Sequence, residues 1–152
     1  MQARMSNPAT TTPGALKALF ALSKSTEVPG LPAITRHLID LRASQINGCG
    51  FCIDLHWQEL RRAGDSDQRI FAVGGWRDAP WFNEAERAAL SLTEAVTRLS
   101  DRPDPVPDGI WDDAAKHYDE PTLGALVLRI AMINTWNRLN VTTGQVAGTS
   151  WT

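Results

Sequence analysis

The chain has 152 residues, 43% of them hydrophobic, which suits one ordinary domain with a real core. A formal net charge of -2, a pI near 5.9 and the lack of any Lys/Arg run argue against nucleic acid or anionic lipid as a partner. Its two cysteines lie three residues apart, so they cannot build the multi-bridge framework of a small secreted domain, and their use must be local.

Residues 1–12 read as a flexible polar segment and 13–152 as a single domain. The apolar stretch from Ala15 to Phe20 is short and interrupted by Lys17, unlike the core of a secretory signal. Leu123 to Ile133 is broken by Arg129 and too short to cross a bilayer, so a soluble cytoplasmic protein with no membrane partner is expected. Breaks at Pro13-Gly14, Pro29-Gly30, Gly48, Gly64, Gly74-Gly75, Pro80 and Pro103 to Pro107 divide the chain into pieces of helical length. No alternating runs of strand type occur, and the fold reads as all-α.

In chain order, a first clear helix is predicted from about Pro32 to Ile46, with Ile34, Leu38, Leu41 and Gln45 at spacings of three and four. A second runs from Cys49 to Ala63 and stops at Gly64, with Asn47 placed to cap it. A third starts after Asn83, whose pairing with Glu86 has the form of a capping box, and carries Ala85, Ala88, Ala89, Leu92, Ala95, Val96 and Leu99 on one face. After the proline-containing linker from Asp101 to Asp108, the segment from about Thr122 to Thr142 is apolar on nearly all sides. Such a helix is either central or covered by another subunit. The six tryptophans, Trp57, Trp76, Trp81, Trp111, Trp136 and Trp151, lack basic interleaving and fit core and subunit contacts better than a base-stacking platform.

Cys49, Cys52 and His56 fall at i, i+3 and i+7, which puts all three on one helix face. Two thiols one turn apart can close a disulfide, and the positive end of the helix favours thiolate over thiol. An imidazole one turn beyond Cys52 can take a proton and return it to a leaving oxygen. Two other readings stay open on spacing alone. The cysteines can pack as small apolar residues, or Cys49, Cys52 and His56 can supply three zinc ligands, for which His37 is the only nearby fourth.

The run from Leu41 to His56, Leu-Arg-Ala-Ser-Gln-Ile-Asn-Gly-Cys-Gly-Phe-Cys-Ile-Asp-Leu-His, resembles the core motif of the carboxymuconolactone decarboxylase superfamily, in its alkylhydroperoxidase D-like branch. The likeness extends to Glu86–Leu90, Glu94–Thr97 and Ile133–Arg138, and so covers most of the chain after about Leu31. It implies a compact domain of about six to seven helices, assembled as a homotrimer or homohexamer, that reduces small hydroperoxides without metal, haem or other cofactor. It further implies that Cys52 attacks the peroxide and becomes a sulfenic acid, that Cys49 condenses with it to a disulfide, and that a dithiol donor of protein or lipoyl type resets the pair. His56 matches the histidine of the family's proton relay.

One position departs from the pattern. The relay usually includes a glutamate twelve residues before the first cysteine, and here that position is His37, which can accept a proton near neutral pH or, as imidazolium, stabilise a thiolate. Asp40, one turn along, is the carboxylate that can partly substitute, although a solvated helix carboxylate is the simpler reading. Glu94 is read as an arginine partner at a helix contact ahead of a role in orienting His56, and His117 as a surface residue. The expected function is a thiol-dependent peroxidase with Cys52, Cys49, His56 and His37 as site residues. The alternatives are a thiol-disulfide exchange protein without peroxide turnover, or a non-enzymatic helical assembly protein whose Cys/His cluster binds metal or packs.

Overall fold

Helix boundaries fall where the chain supplies caps and left-handed glycines. The computed structural model describes residues 1–149, leaving Trp151 outside, and the described residues form eight α-helices and no strand. They are α1 (Pro8–Thr11), α2 (Ala15–Ser25), α3 (Ala33–Asn47), α4 (Gly50–Arg62), α5 (Asp67–Ala72), α6 (Glu84–Thr97), α7 (Asp108–His117) and α8 (Glu120–Thr143), with a 3₁₀ turn at Val73–Gly75 after α5. The Asn83 capping box at the head of α6 is formed in both directions, the Asn83 side chain accepting from Glu86 N and the Glu86 carboxylate accepting from Asn83 N.

The junction of α3 and α4 differs from the expectation at Asn47. Gly48 takes φ +68°, a left-handed conformation that costs a glycine little, so α3 runs through Asn47 and the chain turns at once into α4. The cap of α4 is therefore Cys49, whose Sγ accepts the Cys52 backbone N–H at 3.2 Å. Asn47 instead donates to Asn134 and Asn137 of α8, both at 2.9 Å.

Helix α3 lies at the centre, packed against α4, α6 and α8. Leu31, Ile39, Ala88, Leu92, Leu126 and Ile130 form one core cluster, and Leu38, Leu41, Leu60, Ile70, Val73 and Leu90 belong to a second. Each fully buried leucine or isoleucine contributes roughly 1.5–3 kcal/mol, so the two clusters pin α3 from opposite sides and set which of its residues face the site. A third cluster seats Ala9 of α1 and Ala43 of α3 against Met132, Ile133 and Trp136 of α8. Helix α8 also meets α2, α4 and α7, which makes it central within its own chain and accounts for an apolar surface on nearly every side.

The N-terminal segment, read from the sequence as flexible, carries α1 and is tied to the end of α8. Arg4 N donates to Thr143 O at 2.8 Å, its guanidinium to Thr142 O at 2.9 Å, and Gln145 Nε2 to Met5 O at 3.0 Å. Glu94, buried in α6, accepts from Arg42, Trp76 and Arg77 at 2.7–2.9 Å, the structural pairing expected of it. Of the described tryptophans, Trp76 and Trp136 are buried, whereas Trp57, Trp81 and Trp111 are about half exposed. No described helix is long and apolar enough to cross a membrane.

Candidate active site

The reversal at Gly48 brings the head of α4 against α3 and α8. Cys49 and Cys52 are joined as a disulfide across one helical turn, with Cα atoms 5.3 Å apart and both residues almost fully buried. Cys52 is the sulfur that lines a pocket of about 250 Å³, together with His37, Asp40, His56 and Arg129; Cys49 does not line it. The wall of the pocket is apolar, formed by Phe20, Leu55, Met132, Ile133 and Trp136, and Glu27 and Glu59 stand among its lining residues.

Helices α3, α4 and α8 each supply part of a charged cluster at its base. Asp40, 1% exposed, is gripped by Arg129 of α8, whose Nε lies 3.0 Å from both carboxylate oxygens and whose Nη2 lies 2.5 Å from Oδ2. Asp40 is thus a buried, paired carboxylate and not the solvated one its sequence surroundings suggested. Both histidines converge on its Oδ2, His56 Nδ1 at 3.5 Å and His37 Nδ1 at 3.8 Å, with ring centroids 5.7 Å apart. His37 therefore does sit beside His56, a proximity that depended on how α3 and α4 cross.

Burial pushes the His56 imidazole down to about 4, against the opposing pull of Asp40, with His37 and Arg129 adding to the depression. His37 is lowered in the same direction, again chiefly by burial. For Asp40, burial works upward, but the charge and hydrogen bonds of Arg129 outweigh it and hold the carboxyl below its ordinary range. At neutral pH the cluster is therefore two neutral imidazoles around a carboxylate–guanidinium pair, with both Nδ1 atoms buried and lacking a good hydrogen bond. Each is available to hold or pass a proton.

His37, Asp40 and His56 are also the described residues best placed to hold a metal ion, their ligand atoms lying within 4.8 Å of one another. Arg129 stands against that use, since its guanidinium occupies both oxygens of the carboxylate such an ion would need. The zinc set weighed from sequence, Cys49, Cys52 and His56, has no thiolate to offer in the disulfide form. Glu94 lies away from His56 in its arginine cluster, and His117 is exposed.

Three residues at the site escaped sequence reasoning: Arg129, Asn140 and Asn7. Asn140, 2% exposed, donates from Nδ2 to Cys52 Sγ at 3.2 Å. A readable signal was the recurrence of asparagine at positions 134, 137 and 140 on a largely apolar helix, a spacing of three that lines one face. Buried amides on such a helix need partners, and the end of α3 and the start of α4 supply them.

The fold and site together define a class: an all-helical domain with a Cys-x-x-Cys disulfide at the head of one helix and a buried histidine one turn further on. The chain belongs to the carboxymuconolactone decarboxylase family, whose model matches residues 13–95. It is 37% identical over 135 residues to the uncharacterised protein YdfG of Bacillus subtilis, covering 89% of this chain and 90% of that one. The crystal structure of an Agrobacterium tumefaciens protein of unknown function, described as a putative antioxidant defence protein AhpD, matches with a TM-score of 0.88 at 36% identity, covering 98% of this chain and all of that one. The alkyl hydroperoxide reductase AhpD of Hyphomonas neptunium is 43% identical over 70 residues, a match that spans 44% of this chain and 39% of the reductase.

Proposed function

We propose that the protein is a thiol-dependent hydroperoxide reductase that cycles through the Cys49–Cys52 disulfide. The observation that carries this reading is that Cys52, and not Cys49, shares one pocket with two neutral histidines, His56 buried and His37 half-buried. His56 takes the Cys52 thiol proton, and the thiolate attacks the O–O bond: an S–O bond forms, the O–O bond breaks, and the alkoxide leaves as alcohol with the proton returned from His56. Cys49 then attacks the sulfenic sulfur, water departs, and the disulfide forms. A dithiol reductant restores both thiols by exchange. Asp40, held by Arg129, steadies the transient imidazolium, and His37 serves as a second proton station where the family places a glutamate. Self-association as a homotrimer or homohexamer belongs to the same reading, and the exposed Phe71 and half-exposed Trp57 are surface that such an assembly would cover.

The pocket also supports a substrate class. Its wall is apolar, and three carboxylates, Glu27, Asp40 and Glu59, face a single guanidinium, so a neutral organic hydroperoxide is favoured over one bearing a carboxylate. With a small dithiol as reductant, an aryl or alkyl hydroperoxide should be consumed at least ~10-fold faster than a carboxylate-bearing analogue of similar size. Faster consumption of the anion would overturn the substrate class. Disulfide cycling with the dithiol but no loss of either peroxide would identify a thiol-disulfide exchanger instead.

A further inference from the structure

The backbone at residue 9 and the sulfur of Cys52 are connected by a chain of oriented amides. Asn7, 3% exposed, caps α1 by accepting the Ala9 N–H at Oδ1, 2.9 Å away. Only a carbonyl oxygen can accept there, so the Asn7 NH₂ must point the other way, and it donates to Asn140 Oδ1 at 2.6 Å. That contact in turn orients Asn140, leaving its own NH₂ to face Cys52 Sγ at 3.2 Å. Each amide is thus fixed by the one before it, and the series ends on the sulfur as a donor. The bonds from the Arg4 backbone N–H and from the Gln145 side-chain amide hold the N-terminal segment against the end of α8, so Asn7 is anchored although it lies 133 residues from Asn140.

We infer that Asn140 is a catalytic residue that stabilises the Cys52 thiolate through its side-chain N–H, and that Asn7 is a positioning residue that keeps this amide turned toward the sulfur. This rests on the reading above only in taking Cys52 as the reactive thiol. A thiolate is an acceptor alone, and a hydrogen bond to a charged group is worth more than one to a neutral group, so the donor favours thiolate over thiol. Neither amide titrates, so the donor is present at every pH at which the protein folds, unlike the histidines across the pocket. The inference gives the first dozen residues a function at the site.

The test is the titration of Cys52 in a Cys49→Ser background, followed by thiolate ultraviolet absorbance, with His37, Asp40, His56, Arg129, Glu27 and Glu59 unchanged. Asn140→Leu should move the midpoint up by roughly one to two pH units. Asn7→Ser keeps a capping side chain on α1 and adds no charge, but is too short to hold Asn140; it should move the midpoint by about half a unit. In the Cys49→Ser parent, the Asn140 side-chain amide signals in proton–nitrogen NMR spectra should shift with the Cys52 titration. A midpoint unchanged in Asn140→Leu would overturn the inference. Should that variant not fold, a parent-like midpoint in Asn7→Ser with Asn140 amide signals indifferent to the titration would overturn it equally. Because peroxide takes no part in this measurement, a shifted midpoint in a protein that consumes no peroxide would sink the peroxidase reading alone.

Discussion

Replacing Arg129 by methionine is expected to destabilise the fold by about 3–5 kcal/mol at neutral pH, read as a lowered midpoint in urea denaturation. The cost comes less from the lost hydrogen bonds than from what remains. Asp40 is 1% exposed, and the other titratable groups within about 4 Å of its carboxylate are two histidines that burial keeps neutral. Without Arg129 the carboxylate is a buried, uncompensated charge, and the chain must protonate it, protonate a histidine or admit water. Adding Asp40→Asn to Arg129→Met should therefore recover a large part of the loss, a coupling that two independent sites would not show. A loss below about 1 kcal/mol in the single variant would mean that this pair does not hold α3 to α8.

His56→Gln should slow the reaction of Cys52 with an organic hydroperoxide by about 10²–10⁴-fold, measured by stopped-flow fluorescence or competition, because it removes the group that moves the proton. The same variant changes the pH dependence of stability. The imidazole of the unfolded chain takes up a proton below its ordinary value of 6.5, while in the fold His56 does so only near 4. Between those values the unfolded state binds more protons, so stability is fully present above 6.5 and falls as the pH drops toward 4, by up to about 3 kcal/mol from this group. His37, shifted in the same direction, adds to the slope. His56→Gln should flatten the dependence between pH 6.5 and 4 while leaving the region above 6.5 nearly level. A rate and a slope both matching wild type would remove His56 from the relay.

What was legible in the sequence followed from local chemistry. The Asn83 capping box, the run of α3 and the span of α4 are written in neighbouring residues, and the structure reproduces them within a residue or two. The grouping of Cys49, Cys52 and His56 on one helix face is equally local. Asn47 was misread because its distance before the cysteines fits a cap, and only the backbone reversal at Gly48 hands that position to Cys49. Asp40 was misread for a different reason. Its partner lies 89 residues away on α8, and no property of α3 announces that a guanidinium will bury it. The same holds for Asn7, whose only local signature is a helix cap, and whose second hydrogen bond crosses the length of the chain. Tertiary pairing between distant helices makes this site, so spacing alone showed only Cys49, Cys52 and His56, which share one helix, and His37 on α3 was reached through the family resemblance.

The central claim, that Cys52 and Cys49 form a peroxide-driven pair, is tested most directly by giving the fully reduced protein one equivalent of an organic hydroperoxide and following the products by mass spectrometry. A Cys49–Cys52 disulfide that forms rapidly in wild type and is absent in Cys52→Ser is the expected result. Both thiols still free after exposure, with the protein folded, would contradict the claim.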